Sequence, residues 1–138
     1  MSAEILKGKP ISEQIRTDLK AQIDDMDRPP ALIALMVGDD PGARAYAKMQ
    51  ERGCAEVGID YELRQLPEDI DDAALHATIR ELSVEPLVDG IILQSPLPRG
   101  LDEPAMQGAI EPEKDVDGVH PLNLGLVAAD REALAPCT

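Results

Sequence analysis

Two stretches of this chain are apolar at every position instead of at alternate ones: Ala31–Val37, reading ALIALMV, and residues 91–93, the IIL inside VDGIILQSPLP. A run with no polar face suits a strand covered on both sides, the usual state in a parallel sheet. Both runs stop abruptly. Gly38-Asp39-Asp40-Pro41-Gly42 follows the first, and Ser95-Pro96-Leu97-Pro98 follows the second, where two prolines cannot continue a hydrogen-bonded ladder. Open parallel sheets bind ligands at the carboxyl ends of their strands. Gln94, the first polar residue after Leu93, therefore stands where chemistry is expected. Taken alone, it reads equally well as a buried glutamine satisfying a neighbouring backbone group.

Helical patterns separate the apolar runs. Pro10 opens one in which Ile11, Ile15, Leu19 and Ile23 recur every four residues and share a face, and Arg28-Pro29-Pro30 breaks it. Asp40 before Pro41 is a good N-cap and first-turn pair, and Gly58 is a good stop. A helix is thus expected to start at the carboxyl end of the first strand, with Tyr46 about one turn inside it. Residues 59–66 alternate enough for a less buried strand, and residues 71–83 place Leu75, Ile79 and Leu82 on one helical face. Residues 101–110 fit a short helix, and residues 5–6 a short lead strand. Residues 111–124, EPEKDVDGVHPLNL, are polar and aperiodic and read as a loop, while residues 127–138 show no strong element. The expected architecture is one three-layer α/β/α domain with a mostly parallel sheet of about four strands.

Charge narrows the function classes. With 27 acidic residues against 13 basic ones, the net charge is −14, the reverse of a nucleic-acid-binding surface. No apolar stretch approaches the roughly 20 residues that span a bilayer. The first ten residues lack the apolar run of a secretion signal, so the cytoplasm is the expected location. The scarcity of lysine beside Asp and Glu would suit a salt-rich one. Cys54 and Cys137 form no CxxC and pair with no histidine, which points to neither a disulfide framework nor a zinc site.

Four positions converge if the strand ends line up: Tyr46, Gln50, Gln94 and Asp117. Tyr46 and Gln50 are four apart and share a helix face, whereas Lys48 leaves on another. A tyrosine ring stacks on a flat heteroaromatic ligand, and a carboxylate accepts two hydrogen bonds from an amidine-like edge. Tyr46 alone reads more simply as an amphipathic residue at the edge of the core. Asp115 and Asp117 form a DxD that invites a metal or paired-carboxylate reading, but Gly118 beside them also suits a plain turn. His120, followed by Pro121, is more readily a loop-fixing hydrogen-bonder than a general base, and His76 among Ala and Leu is expected to be structural. No GxGxxG, Walker loop, GxSxG or HExxH is present, so no dinucleotide site is legible in this chain.

VGDDPGARAYAKMQERGCAEVGI, VDGIILQSPLP, EKDVDGVHPLNLG and the terminal APCT, in that order and across nearly the whole chain, resemble the N-terminal, folate-binding half of the bifunctional methylenetetrahydrofolate dehydrogenase/methenyltetrahydrofolate cyclohydrolase (FolD) family. The resemblance implies one-carbon metabolism: NADP-dependent oxidation of 5,10-methylenetetrahydrofolate, then hydrolysis of the methenyl ring to 10-formyltetrahydrofolate. It implies that Tyr46 stacks on the aminobenzoyl region, that Gln94 helps position the one-carbon centre, that Asp117 grips the pterin edge, and that Pro96 and Leu97 line the pocket. It also implies a homodimer in the full-length form; from the residues themselves, no metal is expected. Two departures stand out. Where the family has a proton-transferring lysine four residues after the tyrosine, this chain has Gln50, an amide that cannot take up a proton near neutral pH. Cyclohydrolase activity is therefore expected to be weak or absent. In the family an NADP-binding Rossmann domain follows the PCT; these 138 residues lack it and alone are not expected to be a competent dehydrogenase.

Overall fold

The computed structural model describes residues 7–137. Its elements run α1 (Gly8–Asp24), β1 (Ala31–Val37), α2 (Pro41–Val57), β2 (Asp60–Leu66), α3 (Asp72–Val84), β3 (Gly90–Leu93), α4 (Glu103–Gln107) and α5 (Pro121–Ala128). The three strands are parallel, in the order β2-β1-β3, with β1 in the centre. Because side chains alternate along a strand, Ile33, Leu35 and Val37 point to one face. There they join Ile91 and Leu93 of β3, Leu75, Ile79 and Leu82 of α3, and Met106 of α4 in the main core. Ala34 and Met36 are also buried, on the opposite face, where α2 packs on β1 and β2 and buries Ala43, Ala47, Cys54 and Val57. Helices thus cover both faces of a parallel sheet, the architecture the two apolar runs demand. Among the described residues no helix is long and apolar enough to cross a membrane.

Local signals set the helix ends. The Asp40 carboxylate accepts the Ala43 N–H at 2.8 Å, with Pro41 in the first turn, and Gly58 closes α2 at φ +93°. Asp71 caps α3 by accepting the Ala74 N–H at 2.7 Å. At the amino edge of the sheet, Arg28 makes a two-pronged contact with Asp89 at 2.6 and 2.8 Å, and Asp89 also accepts the Ala31 N–H at 2.8 Å. One aspartate thereby ties the start of β1 to the turn that feeds β3.

The three parallel strands among the described residues agree with the expected mostly parallel sheet of about four; the candidate lead strand at residues 5–6 lies outside the described residues, and a single parallel bridge joins Ile91 to Asp115. Three expectations are corrected in detail. The α1 stripe shares a face but is not a core face. Exposure falls from 65% at Ile11 through 52% at Ile15 and 40% at Leu19 to 8% at Ile23. Only the carboxyl-terminal part of α1 docks on α2, where Arg16 pairs with Glu56 at 3.0 Å and Ile23 lies beside Gly58. The polar loop ends earlier than expected, because Pro121 starts α5 and the His120 ring nitrogen Nδ1 accepts the Leu122 N–H at 3.0 Å. His120 is thus a capping residue. His76 stands exposed on α3 instead of packing as a structural histidine.

Candidate active site

Gln94 follows β3 directly and keeps its ladder partner, donating its backbone N–H to the Leu35 carbonyl at 2.8 Å. The residue is buried, yet its side chain is not spent on backbone. Its Nε2 donates to Oε1 of Gln50 at 2.6 Å, reaching from the end of β3 to the middle of α2. The same Oε1 accepts the Tyr61 hydroxyl at 3.2 Å. Groups from β2 and from the end of β3 therefore converge on one amide oxygen of α2. Ala34 and Ala47, both almost wholly buried, leave the room for α2 to lie close over β1. Tyr61 is half-buried, and burial first, then the charges of Cys54 and Glu51, pushes its pKa up to about 12. The phenol therefore remains protonated at any physiological pH.

Tyr46 lies one turn towards the start of α2 and is 53% exposed. Lys48 is exposed on another face of the helix, and no hydrogen bond joins it to the glutamines. The proline loop begins with a cis Ser95–Pro96 peptide. Glu103 of α4 holds it, accepting from the Ser95 hydroxyl and, at 3.3 Å, from the Leu97 N–H. Pro96 is exposed and Leu97 half-buried. Both line a cleft of about 590 Å³, together with Gly38, Asp39, Glu68 and Arg99. None of Tyr46, Gln50, Gln94 or Asp117 lines that cleft, so this hollow and the polar cluster adjoin only at the proline loop.

The loop that carries Asp117 docks along the outer side of β3. The Ile91 N–H donates to the Lys114 carbonyl at 2.8 Å, and a Cβ added to Gly90 would stand 2.7 Å from Val116 Cγ1. Lys114 turns away to cap α3, donating to the Glu85 carbonyl at 2.7 Å. Asp115 is the organiser. Its buried carboxylate accepts the His120 N–H at 2.8 Å, Asn123 Nδ2 at 2.9 Å and the Val119 N–H at 3.3 Å. The two aspartates therefore divide: Asp115 is spent on backbone and amide, while Asp117 is exposed. Partial burial of its carboxyl, with the Asp115 charge second, raises the Asp117 pKa. Among the described residues no cluster of three or more His, Cys, Asp or Glu side chains could hold a metal ion. Gly118 sits at φ +68°, and a Cβ there would lie 2.6 Å from the backbone at Ala135 and Pro136, so the terminal segment crosses directly over this turn.

The structure thus joins Gln50 and Gln94 directly, and no hydrogen bond ties Tyr46 or Asp117 to them among the described residues. Sequence reasoning passed over Tyr61 and gave Asp115 no separate role. Tyr61 carried a usable signal, since the alternation of residues 59–66 turns it inward beside an edge strand's exposed neighbours.

Residues 6–117 match the family model described as tetrahydrofolate dehydrogenase/cyclohydrolase, catalytic domain. The bifunctional protein FolD of Chloroflexus aurantiacus is 42% identical over an alignment spanning the whole of this chain and 50% of its own. A 5,10-methylenetetrahydrofolate dehydrogenase structure from the silkworm Bombyx mori superposes with a TM-score of 0.93 at 34% identity, covering 98% of this chain and 48% of that one. The Trypanosoma brucei methylenetetrahydrofolate dehydrogenase-cyclohydrolase, solved with NADP and an inhibitor, gives 0.87 at 26% identity over 99% of this chain and 49% of its own. The chain spans about half the length of these relatives.

Proposed function

The chain belongs to the tetrahydrofolate dehydrogenase/cyclohydrolase catalytic-domain family, and from that premise we propose that it forms the folate-binding half of a one-carbon oxidoreductase. The reaction is oxidation of 5,10-methylenetetrahydrofolate to 5,10-methenyltetrahydrofolate, with hydrolysis to 10-formyltetrahydrofolate impaired. The observation that carries this reading is the 2.6 Å contact between Gln94 and Gln50 at the carboxyl end of β3, where an open parallel sheet offers its ligands a site. Tyr46, exposed one turn along α2, is the ring that stacks on the aminobenzoyl region. Asp117 grips the pterin edge, and Pro96 and Leu97 line the pocket. Gln50 and Gln94 orient the one-carbon group through neutral hydrogen bonds, but an amide does not accept a proton near neutral pH. Oxidation needs orientation and a hydride acceptor, whereas hydrolysis also needs a proton to move, so the substitution weighs on the second step.

The residues present do not fit a dinucleotide. The start of α2, where a pyrophosphate would seek backbone N–H groups, is already capped by the Asp40 carboxylate, with Asp39 adjacent. NADP, which supplies the hydride acceptor when bound, belongs in this reading to a Rossmann domain outside these residues. The full-length form is expected to be a cytoplasmic homodimer that binds neither nucleic acid nor membrane.

Calorimetric titration of this chain with a stable folate substrate analogue, beside its Asp117→Ala variant, tests the reading. Saturable binding removed by Asp117→Ala supports it, and equal binding by both proteins refutes the role of Asp117. In the full-length protein, Gln50→Lys should raise methenyltetrahydrofolate hydrolysis by about a hundred-fold, the low end of what a positioned proton-transfer group contributes. An unchanged rate would refute the impairment. The second reading, a folate-binding module without turnover, draws on Gln50 itself. It predicts that ligand binds but that no NADP-dependent oxidation follows in the full-length protein.

A further inference from the structure

Tyr61 has no part in the function proposed above, yet its hydroxyl reaches the centre of the polar cluster. It comes from β2, on the opposite side of β1 from Gln94, and the two side chains meet on the same Gln50 oxygen at 3.2 and 2.6 Å. An amide held by one donor can still turn about its last torsion and exchange its oxygen for its nitrogen. Two donors converging on one oxygen oppose that exchange, because turning the Gln50 amide alone would set its NH2 against the Gln94 NH2 and leave the phenol proton without an acceptor. The phenol is suited to the task, since its pKa near 12 keeps the proton in place. Gln50 Nε2 has no hydrogen-bond partner within the protein among the described residues and is the half of the amide left for a ligand.

We propose that the Tyr61 hydroxyl is a positioning group that, together with Gln94, locks the Gln50 amide with Oε1 turned inward and Nε2 offered as a hydrogen-bond donor to the bound substrate. This rests on the folate reading for the identity of the substrate, not for the lock itself. Substrate atoms facing Gln50 are then acceptors, a lone pair or a carbonyl oxygen, and the site recognises them without any charge from this residue. Tyr61 acts only through Gln50 and touches no reacting atom.

The test is Tyr61→Phe, which keeps the ring and removes the hydroxyl. Two readouts are needed. The first, in the free protein, is the side-chain amide signal of Gln50 in a 1H–15N spectrum, assigned by its disappearance in Gln50→Glu. It should shift and broaden in Tyr61→Phe while the other glutamine side-chain signals, that of Gln94 excepted, remain. The second is affinity for the folate analogue by calorimetry. It should fall about five-fold in Tyr61→Phe, within the usual net worth of one hydrogen bond, and should not fall further when Tyr61→Phe is added to Gln50→Ala. An unmoved Gln50 signal overturns the lock whether or not the analogue binds. A shifted signal with unchanged affinity overturns its role in binding. Failure of the unaltered protein to bind the analogue counts against the folate reading, while the amide signal still decides the lock. Equal losses of affinity from Tyr61→Phe with and without Gln50 would make Tyr61 a general structural support and overturn the proposal.

Discussion

Replacing Asp115 by alanine should unfold the candidate site from beneath, and the size of the effect follows from what the carboxylate holds. Two of its hydrogen bonds are short, to the His120 N–H at 2.8 Å and to Asn123 Nδ2 at 2.9 Å, and the third, to the Val119 N–H, is long at 3.3 Å. Bonds to a charged group contribute about 1.5–3 kcal/mol each, and an alanine leaves the donors unsatisfied in a site closed to water. Against this, the variant no longer keeps a carboxylate out of water. A net loss of about 3 kcal/mol is expected, or about 10 °C in Tm for a domain of this size. Asn123 keeps its other partner, the Pro112 carbonyl at 2.9 Å, so the loss should not be larger. Asp115→Asn, with one oxygen kept and an NH2 set against the donors, should recover less than half. The control is Asp117→Ala two residues on, an exposed position where a change within about 0.5 kcal/mol is expected. Urea unfolding of the four proteins, followed by circular dichroism, provides the comparison. If Asp115→Ala matches the unaltered chain within 0.5 kcal/mol, or Asp117→Ala loses as much as Asp115→Ala, the division of labour between the two aspartates is wrong.

Gly118→Ala should lose about 2–3 kcal/mol in the same urea experiment. A side chain at φ +68° is strained, and its Cβ would press on backbone at Ala135 and Pro136, which cannot yield as a side chain would. A loss below about 1 kcal/mol would mean that the terminal segment does not cross that turn. Asp117 gives a pH signature. Its folded pKa is raised, so the folded chain holds this proton more tightly than the unfolded one, and its contribution to stability falls as pH rises from the ordinary carboxylate range through the raised value. Asp117→Asn should therefore be slightly more stable than the unaltered chain near neutrality, by less than about 1 kcal/mol given its exposure. The difference should vanish near pH 3; a variant less stable at pH 7 would refute the sign.

The fold was legible because its determinants are local. Uninterrupted apolar runs, the Asp40-Pro41 cap and the Gly58 stop each act within a few residues, and each appears where expected. The α1 stripe shows the limit of periodicity, which says which residues share a face but not whether anything covers it. Pro121 was read as a loop residue although proline is at home in the first turn of a helix. In the site, Gln94 was legible from the end of its strand. Gln50 stood out only through the resemblance, as a departure at a position where a lysine was expected. Tyr61 was missed because its partner depends on strand order and register: it pairs with Leu32 on β1, and only the placing of β2 beyond β1 brings its hydroxyl to α2. Asp115 and Asp117 look alike in a DxD. What separates them is the chain's return through His120 and Asn123, a tertiary event.

The Arg28–Asp89 contact gives the sheet two unlike margins. At one margin a single carboxylate, its pKa lowered chiefly by its hydrogen bond to Arg28, fastens the beginnings of neighbouring strands and fixes how they slide past one another. At the other margin Gln50 and Gln94 hang from chain already held in place. Alignment is therefore decided before any residue that would meet a ligand is reached. A residue exchanged at position 50 on such a platform leaves the alignment of the strands untouched, so the scaffold tolerates different side chains at the place where a ligand would be met.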